Sequence, residues 1–133
     1  MYYDFDFTVT KQTSESSKVE QFVTLAPGVI KEIVIQSSRS FAALVHFQIF
    51  KSIFQLWPSN PDGAFLLTGE TIASSEEYEM EGPPWELTLV GWNEDDRFDH
   101  TLHVRFSVLP TKGPWTSALL EALFGTPKKV ELK

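Results

Sequence analysis

The sequence predicts an all-β fold: an antiparallel β-sandwich of jelly-roll or Greek-key type, about eight strands long, followed by a short C-terminal helix and tail. Three observations carry this expectation. Apolar side chains recur at every second position in several separate runs, the spacing of strands with one buried face. Turn-forming clusters, among them Pro27-Gly28 and Asn60-Pro61-Asp62-Gly63, punctuate those runs. No glycine-rich phosphate loop follows a strand and no helical segment separates the strands, which argues against parallel α/β winding. With 133 residues, 42% hydrophobic and 22% charged, the chain is sized for one core. Residues 1–110 are expected to form the sandwich, and residues 111–133 a helix and arm that belong to the same domain or dock on another subunit.

The elements follow in chain order. Tyr3, Phe5, Phe7 and Val9 alternate with Asp4, Asp6 and Thr8 and form an opening strand. The polar stretch Lys11 to Lys18 is an exposed connection. Runs from Glu20 to Ala26 and from Val29 to Gln36 flank Pro27-Gly28, where proline at the first central position and glycine at the second predict a type II turn. Phe41 to Trp57 is rich in aromatic and β-branched residues and is assigned two strands meeting near Lys51-Ser52. Asn60 to Gly63 has the residue order of a type I turn capping a hairpin or corner. Short strands are expected at Phe65 to Leu67 and at Glu77 to Met80, with Gly69 and Ser74-Ser75 in a loop between them. Trp85, Leu87 and Leu89 mark the next strand, and Leu102, Val104, Phe106 and Val108 the last. The acidic loop Asn93 to Asp99 is expected to join these two as antiparallel neighbours.

The ending breaks the pattern. Pro114 suits a first helical turn and Gly125 with Pro127 a stop, so a helix is expected over Pro114 to Phe124. Trp115, Leu119, Leu120, Leu123 and Phe124 spread around most of its circumference, more than one sheet contact requires. These five residues, with Lys128 and Lys129 of the tail, are the candidate partner-binding residues. The rival expectation is a plug over the open end of the chain's own sandwich.

Charge is uneven. Residues 70–99 hold ten acids and the single base Arg97, a local charge of −9 within a total of −7. That region repels phosphates, which argues against a nucleic-acid groove. An acidic face keeps a protein soluble; it is also complementary to a basic tail such as Lys128, Lys129 and Lys133. The absence of cysteine removes disulfides, thiolate metal sites and thiol nucleophiles. No apolar run approaches the roughly 20 residues of a membrane span, and MYYDFDFTVT lacks the regions of a signal peptide, so neither membrane nor leader is expected.

Catalytic chemistry finds little support. His100 and His103 have opposite parity on one strand and cannot share an ion without a bulge, and His46 lies far away in sequence. Asp95, Asp96 and Asp99 could converge on calcium, but Arg97 interrupts them and no EF-hand spacing is present. The ten acids set no separation for glycoside hydrolysis, and no Gly-x-Ser-x-Gly elbow appears. No catalytic, cofactor or metal residue is therefore assigned, and no cofactor is expected. Trp57 and Trp92, near predicted strand ends, are candidate ligand-binding residues, since an exposed ring can stack on a sugar.

The segments WPSNPDG (Trp57 to Gly63) and WNEDDRFDH (Trp92 to His100) are similar to stretches in phage and prophage β-proteins. With the strand pattern over about residues 2–109, the chain resembles the small jelly-roll accessory proteins of tailed-phage virions, particularly head decoration proteins. The resemblance implies a non-enzymatic structural protein of a virus particle, assembled in the host cytoplasm. It further implies homo-oligomers, often trimers, seated on a larger assembly such as a capsid, with terminal extensions linking neighbours. A carbohydrate-binding, lectin-like module is the competing expectation on the same architecture.

Overall fold

The structure, a computed structural model, describes residues 1–110. The expected helix over Pro114 to Phe124 and the tail lie outside the described residues, with Trp115, Leu119, Leu120, Leu123, Phe124, Lys128 and Lys129. Among the described residues nine strands follow one another: β1 (Tyr2–Val9), β2 (Val19–Thr24), β3 (Gly28–Gln36), β4 (Val45–Lys51), β5 (Phe54–Trp57), β6 (Phe65–Leu67), β7 (Thr71–Glu79), β8 (Glu86–Asn93) and β9 (His100–Pro110). They form two antiparallel sheets, one ordered β1-β9-β3-β7 and the other β2-β8-β4-β5, with β6 also on β4.

The two sheets face each other across one core. Alternation decides which side chains enter it: Phe7 and Val9 of β1 and Leu102, Val104 and Phe106 of β9 from one side, Phe47 and Ile49 of β4 and Leu87 and Leu89 of β8 from the other. Phe7 and Phe47 meet across the gap with ring centroids 5.8 Å apart. Each of these side chains is almost wholly buried, and burying a large apolar side chain stabilises by about 1.5–3 kcal/mol.

Strands β5 and β6 both pair antiparallel with β4, on the edge opposite β8. They behave as a single edge strand interrupted by residues 58–64. Gln48 lies where that edge strand is missing, between the rungs Ile49 to Trp57 and Phe47 to Phe65.

Several local expectations are corrected. The type II turn expected at Pro27-Gly28 is not formed: Gly28 lacks the positive φ that its second central position requires, and the chain crosses there from the sheet of β2 to that of β3. Gly28 is required for room instead: a Cβ would lie 2.3 Å from the Leu109 carbonyl oxygen. The Asn93 to Asp99 loop likewise crosses sheets, so β8 and β9 are not neighbours. The Asn60 to Gly63 turn is closed by the Gly63 N–H to Asn60 O bond at 3.0 Å, but Asp62 has φ 63°, as a type II turn requires. Ser74 and Ser75 sit inside β7, paired with Ile33 and Glu32. Phe41 closes a short 3-10 helix, Arg39–Phe41, and Ala42 and Ala43 have positive φ, so strand begins only at Val45.

Candidate functional site

The outer face of the five-stranded sheet carries the most distinctive surface. Parity places Glu20 and Phe22 of β2, Thr88, Val90 and Trp92 of β8, and His46, Gln48 and Phe50 of β4 on that side. Phe22 and Phe50 both pair with Thr88 and form one rung; Glu20, Val90 and Gln48 form the next. Beyond the end of β4 the chain reverses through Ser52, at φ 57°, and lifts Ile53 over the same face. A groove of about 620 Å³ results, walled by Phe22, Phe50, Ile53 and Pro84 with Thr88 and Val90 in its floor. Phe22 is 64% exposed and Ile53 82%, which is unusual for two large apolar side chains lining one groove on a folded surface. Lys18, Lys51, Glu20 and Glu86 line it as well. Lys51 is fixed by donating to the Pro84 carbonyl at 2.8 Å.

A polar network adjoins the groove. Gln48, only 2% exposed, donates to the Gly63 carbonyl at 2.8 Å and accepts from Lys18 Nζ at 3.2 Å. Gln55 donates to Pro58 O at 2.7 Å and to Gly63 O at 3.0 Å. The gap in the edge strand is therefore filled by side-chain amides, and the buried amide of Gln48 keeps its partners. Lys18 also lies over the Trp92 ring, 5.1 Å from its centroid, while His46 stacks on that ring at 4.7 Å.

Trp57 and Trp92 are each 6% exposed. Trp57 packs edge-on to Tyr78, with centroids 5.5 Å apart, and Trp92 is covered by Lys18 and His46, so neither offers a free face to a sugar. Burial, with Glu81 nearby, pushes the Tyr78 hydroxyl pKa up. Phe22, Phe50 and Ile53 were not singled out by the sequence patterns. Phe22 had a signal, an aromatic residue sharing the polar parity of Glu20 and Thr24.

The acidic loop does not converge on a cation position. Asp95 accepts the Arg97 N–H at 2.8 Å and pairs with His100 Nε2 at 2.9 Å, and Asp99 accepts the Lys11 N–H at 2.9 Å. The Arg97 N–H, then the His100 ring, hold the Asp95 carboxyl below its ordinary pKa. Both on β9, His100 is buried and His103 points outward, as their opposite parity requires. His103 Nδ1 pairs with Asp6 at 2.7 Å and Arg105 with Asp4 at 3.4 Å. Asp4, Asp6 and His103 bring ligand atoms within 4.8 Å of one another on exposed positions, with the Arg105 guanidinium already on one of the carboxylates.

A comparison with family models finds none that matches the chain, and a comparison with curated proteins finds no match. Among the described residues, no helix is long and apolar enough to cross a membrane.

Proposed function

We propose that this protein is a non-enzymatic structural subunit of a larger assembly, a decoration-like component of a virus particle, which works by docking on copies of itself and on a protein lattice. The observation that carries the reading is the groove with Phe22 and Ile53 exposed across it. Such a patch rimmed by charges is the anatomy of a protein interface, an apolar centre with a polar surround. The strand order β1-β9-β3-β7 facing β2-β8-β4-β5 supports the finer description of the sandwich as a jelly roll, because each sheet alternates strands from the two halves of the chain. Measuring molar mass over a concentration series tests the reading. A discrete homo-oligomer, such as a trimer, is expected; a monomer at every concentration contradicts it.

A glycan-binding role has one observation in its favour. Beside Phe50 and Ile53 runs a cleft of about 290 Å³ lined by Glu15, Lys18, Gln48, Gln55 and Asp62, and such donors and acceptors next to an apolar ring suit a sugar. The ring involved is then Phe50 rather than Trp57 or Trp92. Saturable binding to a glycan panel that Phe50→Ala abolishes supports this role, and a flat response across the panel removes it.

A further inference from the structure

We infer that the groove on the five-stranded sheet is the seat of this chain's own segment Trp115 to Phe124. Three observations converge on that occupant. The first is where the described chain ends. Pro110 pairs with Gly28 at the start of β3, and three residues earlier the Leu25 N–H bonds to the Trp85 carbonyl at 2.9 Å. Trp85 follows Pro84, a wall of the groove. The chain therefore leaves β9 at the end of the sandwich where the groove opens.

The second is reach. Residues 111–114 span at most about 13 Å when extended at ~3.3 Å each, and facing sheets lie about 10 Å apart. Trp115 is thus the first large apolar residue of the C-terminal segment within reach of the sheet that carries the groove. The third is chemical match. Trp115, Leu119, Leu120, Leu123 and Phe124 are five large apolar residues within ten positions, matching the apolar wall of Phe22, Phe50, Ile53 and Pro84. Apolar burial supplies the affinity.

The inference concerns what fills the groove; a donor in a neighbouring copy, as the assembly reading holds, or in the same chain both satisfy it. Because the chain has no cysteine, paired replacements report contact without background. The full-length Ile53→Cys/Leu119→Cys and Phe22→Cys/Leu119→Cys variants are oxidised beside Thr101→Cys/Leu119→Cys, whose first thiol sits on the outer face of the other sheet. Thermal melting verifies that each is folded. Disulfide formation at least tenfold faster in either groove pair than in the control is expected. Equal rates in all three overturn the inference. The size of the cross-linked product on a non-reducing gel separates the two readings. Linked pairs of chains support exchange between subunits, and linked monomers keep the occupant while removing this groove as the assembly contact.

Discussion

Asn93 is the residue on which the crossing between sheets turns. It is fully buried, its amide donates to Val9 O at 3.1 Å and to Phe98 O at 3.0 Å, and its side-chain oxygen accepts the Asp95 N–H at 2.9 Å. Replacing it with alanine leaves backbone groups of β1 and of the 94–99 loop without their partner. Asn93→Ala is expected to lose about 2–3 kcal/mol of stability, read as a lower urea midpoint at unchanged slope; a loss below ~0.5 kcal/mol contradicts its role as the hub. Asp95 adds a pH dependence. Its carboxyl pKa is lower folded than unfolded, so its contribution is present above the unfolded value near 4 and fades as pH falls through the folded one. In Asp95→Asn the fall of melting temperature from about pH 5 to pH 3 is expected to be shallower than in wild type. Parallel curves count against the assignment.

At the scale of elements, β1, β8 and β9 were legible because alternation is a local property: Tyr3 to Val9, Leu87 and Leu89, and Leu102 to Val108 place their apolar residues inward as their spacing requires. The partners of those strands were not legible. A short loop such as Asn93 to Asp99 has the same residue types whether it closes a hairpin or arches between sheets, and only the packing of Phe7 against Phe47 and its neighbours decides. Pro27-Gly28 misled for a related reason. Its glycine answers to the Leu109 backbone, which is remote in sequence, rather than to turn geometry. Gly28→Ala is therefore expected to destabilise by about 1–3 kcal/mol through forced separation of β3 from β9, measured by denaturant unfolding. A neutral substitution shows that the two strands do not meet as closely as described. The edge formed by β5 and β6 shows a further limit, since the gap spanned by Gln48 and Gln55 exists only once β4 supplies a common partner.

The whole molecule combines a core typical of β-sandwiches with two unequal outer faces. The four-stranded sheet presents ion-paired and hydroxyl side chains such as Asp4, Asp6, His103, Arg105 and Thr101, whereas the five-stranded sheet presents an apolar groove. That division was only partly visible beforehand. The sequence expectation placed the contact residues in residues 111–133, and the described residues add the face that Phe22, Phe50 and Ile53 create from two strands and a turn. Such a site has no local signature, because its members are brought together by register alone. Exposed positions tolerate substitution, so aspartate at Phe22 and Ile53 is expected to leave stability within about 0.5 kcal/mol while placing charge where a partner must bury apolar surface. The most direct test is absolute mass by light scattering, with a thermal melt on each sample, for wild type and the Phe22→Asp/Ile53→Asp variant across a concentration series. The account predicts an oligomer in wild type that falls to monomer in the variant, which still melts cooperatively, at the temperature of wild type diluted to monomer. Equal masses at every concentration, whether both monomeric or both assembled, contradict the claim that this face is the contact.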